Sequence, residues 1–191
     1  ESCGPGAEFS MAALAARPNL RVLKVVDIHA REAIDDVRAF QPHVGLSLAA
    51  PILRRELFGI PTVGTVNLHK GKVPDYRGMP PAFWELWNDE ESVGCTVHWV
   101  DDRLDTGEVA AETVVEREKY STFRGLQLRL DEIGVELMRH VIGEIFKGMR
   151  PATPQRPGGR TYRKPTLAQM AALNDKLLAL QPERAALARR V

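Results

Sequence analysis

Between Leu20 and Met149, short apolar runs alternate with stretches of helical periodicity. That alternation restricts the chain to an α/β class, with a mostly parallel sheet flanked by helices. Residues 20–26, 43–48, 64–69, 95–100 and 109–115 read as strands, rich in Val, Leu and Thr. Residues 31–40 read as a helix, with Ala33, Ile34, Val37 and Phe40 on one face and Pro42 as its stop. Shorter helices are expected over residues 9–16, 51–58 and 82–87. A long amphipathic one is expected over 123–149, carrying Leu126, Leu130, Ile133, Leu137, Val141, Ile145 and Phe146. An α/β domain ordinarily opens on a buried strand. None is visible before about Leu20, so residues 1–150 read as an α/β domain incomplete at its N-terminus. Residues 151–191 read as an extended Pro/Gly/Arg-rich arm followed by a terminal helix that Pro182 interrupts. Such a helix buries its apolar face against the domain or against a second copy, as in a homodimer.

Composition narrows the class of partner. The chain has 191 residues, 44% of them hydrophobic and 27% charged, with a net charge of +1. These values suit one globular domain with a sizeable core, and neither a nucleic acid nor a membrane is expected as partner. No apolar run is long enough to span a bilayer, and no charged-then-apolar leader is read at the start. The two cysteines, Cys3 and Cys95, form no disulfide framework and no zinc pattern, which fits a reducing cytoplasm. There is no Gly-Lys-Thr/Ser phosphate loop and no well-placed GxGxxG. The histidines and acids lack metal-ligand spacing, so no metal is expected.

Two polar strand ends carry the chemistry. Asn67 and His69 lie two apart on one strand, so their side chains leave the same face. Leu104-Asp105-Thr106-Gly107 follows another strand and places a carboxylate in a polar turn. Each feature has a plainer reading, as a loop cap or a turn former. Together they supply an amide, an imidazole and an acid, the groups that orient an acyl carbon, stabilise an oxyanion and move protons. His98 alternates with Val97 and faces either the core or this site. Lys70 follows His69 directly and reads either as a contact for an anionic substrate or as an exposed cation. Cys95 precedes a buried-looking strand and has no activating neighbour, so packing is its role. Phe83, Trp84 and Trp87 read as helix–sheet packing.

The stretches NLHKGKVPDYRGMPPAFWELWN and GCTVHWVDDRLDTGEV resemble the formyltransferases that use 10-formyltetrahydrofolate. The family pattern is Asn-x-His, a Leu-Pro-x-Tyr-Arg-Gly loop, a helix, a strand with Thr-x-His, and Leu-Asp-x-Gly. The resemblance covers residues 40–120 well and 120–165 loosely. It implies a Rossmann-like domain with Asn67, His69 and Asp105 as the catalytic trio. It also implies a folate donor held by Ala50, Pro51, Ile52 and Leu53 on one side and by Val100, Asp101, Asp102 and Leu104 on the other. Lys70, Tyr76 and Arg77 are then expected to meet the acceptor, a small-molecule primary amine. The run from Arg77 to Trp84 and the arm over 155–162 resemble the sugar N-formyltransferases most, so an amino sugar or sugar nucleotide is the expected acceptor. Two departures stand out: Lys70-Gly71 replaces the family's Pro-Ser, and the acceptor-binding strand and Gly loop that open the family are not visible.

Overall fold

The computed structural model describes residues 13, 15–117 and 123–179. Gln41, in the left-handed region (φ 51°), closes the helix Arg31–Phe40 (α1), and Pro42 directs the chain into the strand Val44–Leu48 (β1). A short helix, Arg55–Phe58 (α2), leads to the strand Gly64–His69 (β2), which pairs with β1 in parallel. The two-residue strand Arg77–Gly78 (β3) and the helix Phe83–Trp87 (α3) precede the strands Ser92–Trp99 (β4) and Val109–Glu116 (β5). The long helix Phe123–Phe146 (α4), the strand Thr161–Tyr162 (β6) and the helix Leu167–Ala179 (α5) complete the described chain.

The main sheet has the order β1-β2-β4-β5, and β6 pairs in parallel with β3 beside it. The class is α/β, as read from the alternation of elements, but among the described residues the sheet is mixed. Only β1 and β2 are parallel, whereas β4 runs antiparallel to both β2 and β5.

Residues 20–26 form no strand. Leu20, Leu23, Val25 and Val26 are exposed, because an apolar run becomes a strand only where a sheet edge and a buried face receive it. The helix expected over 51–58 is confined to Arg55–Phe58. The helix expected over 9–16 and the end of the terminal helix beyond 179 fall largely outside the described residues.

One face of the sheet is apolar. Val66, Val97 and Trp99 pack with Met138 and Val141 of α4, while Val93 and Cys95 pack with Phe83, Leu86, Leu126 and Leu130. Burying each large aliphatic side chain contributes about 2 kcal/mol. Helix α4 can come this close because it carries Gly134, where a Cβ would lie 2.6 Å from Leu68 Cδ2. Helix α5 joins the same cluster through Leu173, and Lys176 donates to the Trp87 carbonyl at 3.0 Å. The 151–179 stretch is thus packed against the α/β core. No helix among the described residues is long and apolar enough to cross a membrane.

Cys95 lies inside this cluster, and burial pushes its thiol up to about 11. Alkylation at pH 8 followed by peptide mapping should therefore leave Cys95 unmodified in the native protein and label it only after denaturation.

Candidate active site

The opposite face of the sheet is polar, and strand register assembles it. Ser47 on β1 lies beside Asn67 on β2, and Asn67 lies opposite His98 on β4. The three form one row across three strands, with His69 opposite Thr96 next to it. Asn67 Nδ2 and His98 Nε2 are 3.1 Å apart. His98 Nδ1 faces the Trp99 carbonyl at 2.9 Å, and a carbonyl only accepts. His98 Nδ1 therefore carries a proton, while Nε2 lies between Asn67 Nδ2 (3.1 Å) and Asp105 Oδ1 (3.3 Å).

The loop after β4 folds back over this row. Asp101 Oδ1 accepts from Arg103 N–H (3.0 Å) and from the Thr106 hydroxyl (2.7 Å), which tightens the turn. Gly107 lets the turn pass against β4, since a Cβ there would lie 1.7 Å from the Trp99 carbonyl oxygen. Asp105 adopts a left-handed backbone (φ 52°), unusual outside glycine and best tolerated by Asp and Asn. Its carboxylate thereby reaches between two imidazoles. Oδ1 is 3.3 Å from His98 Nε2, and Oδ2 is 3.4 Å from His69 Nδ1. Gly78 N–H donates to Oδ2 at 2.7 Å. The site is thus built on a sheet face by a returning loop, where two carboxyl strand ends of a parallel sheet were expected.

Burial sets the charges. Asp105 is 8% exposed. Burial works to raise its carboxyl, but the His98 hydrogen bond, the His69 charge and the Gly78 N–H together hold it below the ordinary range. His69 is 7% exposed, and burial pushes its imidazole below the ordinary value despite the pull of Asp105 and of the Tyr76 carbonyl. Its Nε2 donates to that carbonyl at 2.6 Å. In the neutral ring Nδ1 is then bare and faces Asp105, placed to take up a proton.

Beside this cluster lies an open cleft of about 130 Å³. Asn67, His98 and Asp105 line it, together with Ser47. So do Ala50, Pro51, Ile52 and Leu53 from one side, and Val100, Asp101, Asp102 and Leu104 from the other. Ile52 (73% exposed) and Leu104 (40% exposed) present apolar surface, which suits a flat aromatic ring. Asp102 is held in an exposed ion pair by Arg55.

His69 does not line this cleft. It borders a separate small cavity of about 10 Å³ with Lys70, Tyr76, Arg77 and Glu85. Lys70 pairs with Asp131 of α4. Tyr76 donates its hydroxyl to Glu90 at 2.7 Å and stacks on Tyr162 at 5.4 Å. Burial foremost pushes the Tyr76 phenol up to about 12. Arg77 spends its guanidinium on protein groups: the Asp105 carbonyl (3.2 Å), Gln155 Oε1 (2.7 Å) and the Gly158 carbonyl (3.3 Å).

Sequence reading missed Ser47, Glu85 and Gln155 and left His98 open. Ser47 and His98 carry a signal only once the register is known. Among the described residues, no group of three or more His, Cys, Asp or Glu side chains is arranged to hold a metal ion.

The family model described as Formyl transferase matches residues 9–142. The methionyl-tRNA formyltransferase of Clostridioides difficile is 32% identical over 143 residues, covering 74% of this chain and 46% of that protein. The methionyl-tRNA formyltransferase of Moorella thermoacetica is 33% identical over 154 residues, covering 80% and 49%. The chain therefore spans about half the length of these relatives. Among solved structures, the formyltransferase PseJ from Anoxybacillus kamchatkensis was crystallised with UDP-4,6-dideoxy-4-formamido-L-AltNAc and tetrahydrofolate. It matches with a TM-score of 0.56 at 25% identity, over 72% of this chain and 69% of that one. A sugar N-formyltransferase from a Shewanella species shares the fold with a TM-score of 0.62 at 17% identity, over 78% and 65%. With more than half of its residues matched by the family model, and with the fold of these structures, the chain belongs to the formyl transferase family.

Proposed function

We propose that this chain transfers a formyl group from 10-formyltetrahydrofolate to a primary amine carried on an amino sugar or sugar nucleotide, in the cytoplasm. The observation that carries the reading is the convergence of Asn67, His98 and Asp105 on a cleft walled by the 50–53 segment and the 100–104 loop. PseJ, which holds tetrahydrofolate and a formamido sugar nucleotide, supports the same donor and acceptor classes here.

The donor supplies a formyl carbon attached to a nitrogen leaving group. In this reading Ala50, Pro51, Ile52, Leu53, Val100, Asp101, Asp102 and Leu104 hold its ring system. Asn67 donates its amide N–H to the formyl oxygen and stabilises the oxyanion that forms as the amine attacks. Asp105 orients the amine and draws off its proton, and His69 Nδ1 takes up that proton behind it. The new C–N bond forms, the old one breaks, and the proton passes to the departing folate nitrogen. Lys70, Tyr76 and Arg77 stand on the acceptor's side, around the small cavity.

The test mixes the protein with 10-formyltetrahydrofolate and a panel of amino sugars, their nucleotide conjugates, glycinamide ribonucleotide and methionyl-tRNA. Tetrahydrofolate release and a formylated sugar product are expected. Formate appearing without any acceptor would mark a donor hydrolase, and donor binding without turnover a non-catalytic folate binder. In the same assay Asn67→Ala should lower kcat about 10²-fold, the cost of one oxyanion donor. Undiminished turnover in that variant would remove Asn67 from the mechanism.

A further inference from the structure

We infer that Gln155, in the arm beyond α4, is a positioning residue that sets the direction of the Asp105 carboxylate; the kinetic part of this inference rests on the function proposed above. The arm is anchored beside the site, because Val109 and Thr153 exchange two backbone hydrogen bonds of 2.8 Å. Two residues on, the Gln155 amide spans the returning loop. Its Nε2 donates to the Asp105 carbonyl (2.9 Å) and to the Gly107 carbonyl (2.8 Å). Its Oε1 accepts from Arg77 Nη2 at 2.7 Å, and Arg77 Nε itself reaches the Asp105 carbonyl at 3.2 Å. The Asp105 peptide is thus gripped by two donors that also grip each other.

That grip falls on a residue with a left-handed backbone. A non-glycine residue in the left-handed region persists only where its surroundings hold it there. The backbone torsion of Asp105 (φ 52°) determines where its Cβ points, and hence whether the carboxylate sits between His69 and His98. The Gln155 amide spends its hydrogen bonds on backbone carbonyls and Arg77, so it acts on the imidazoles through the Asp105 peptide. It also lies outside residues 9–142, the stretch that the family model matches, so the matched stretch alone does not contain the whole support of the site.

The experiment compares Gln155→Ala with the parent by two readouts. In imidazole NMR spectra, the resonances of His69 and His98 should move, while those of His29, His43 and His140 stay in place. In the formyl-transfer assay, kcat should fall about 10- to 100-fold, the effect of a misplaced catalytic group, with donor KM changed less than about threefold. Gln155→Glu is the second variant. It keeps an acceptor for Arg77 but turns an oxygen towards two carbonyls, so it should reproduce both effects, and it decides the matter if Gln155→Ala does not fold. Unmoved His69 and His98 resonances, or kcat and KM changing in proportion, would overturn the inference. If the parent formylates no amine, the proposed function falls, and the NMR comparison still decides whether Gln155 positions Asp105.

Discussion

Asp105→Asn lowers kcat for formyl transfer about 10³-fold, at the upper end of the cost of removing one charge-stabilising group. The substitution is chosen to leave the fold alone. Asn tolerates the left-handed backbone that Asp105 adopts (φ 52°), matches its volume and still offers an oxygen to Gly78 N–H. What disappears is the negative charge shared by His69 and His98. Without it, a proton taken from the amine has no counter-charge among these buried groups. Circular-dichroism melting should show a transition close to the parent's. A variant retaining a tenth of parental turnover would show that Asp105 only shapes its loop. The acid limb of stability should change as well. The native carboxyl titrates below its unfolded value, so its contribution is present at neutral pH and disappears as pH falls through the lower, folded value. Asp105→Asn removes that dependence.

Glu85→Gln stabilises the protein at pH 8 and flattens the decline of stability between pH 5 and pH 8. Glu85 is 2% exposed, and burial pushes its carboxyl up to about 7 against the opposing N–H bonds of Gly94 and Lys72. The folded chain then holds a proton that the unfolded chain has released above its value of 4.5. Stability is accordingly full below the unfolded value and is lost as pH rises through the folded one. Over a rise to about 7 the loss amounts to about 3 kcal/mol, at 1.36 kcal/mol per pH unit. The substituted side chain keeps a carbonyl oxygen to accept from Gly94 (2.8 Å) and Lys72 (3.0 Å) while carrying no charge. Thermal melts of the two proteins across that range check this. Parallel pH profiles would mean that Glu85 keeps its charge through the cavity it borders with His69 and Lys70.

Much of the site was visible in the residues because alternation is local. Asn67 and His69 must share a face of β2, whatever the sheet around them. Leu104-Asp105-Thr106-Gly107 had to turn, since a left-handed Asp and a crowded Gly suit no regular strand. The direction of β4 was not visible, because an apolar eight-residue strand reads alike in parallel and antiparallel pairs. The same blindness hid Ser47 and left His98 undecided: each joins the site through a partner on another strand. Residues 20–26 misled for the opposite reason. Their composition favours a strand, but pairing is a property of the neighbour as well. Gln155 lies 50 residues from Asp105 along the chain, in a segment with no periodicity, so only coordinates bring the two together.

The row of Ser47, Asn67 and His98 makes the floor of the cleft a matter of counting along strands. Deleting one residue between Gly64 and Val66 does something categorical: it rotates the amide into the oily layer beneath α4 and swings an aliphatic side chain up in its place. This arrangement admits no partial misalignment: a one-residue slip of β2 takes Asn67 out of the cleft altogether.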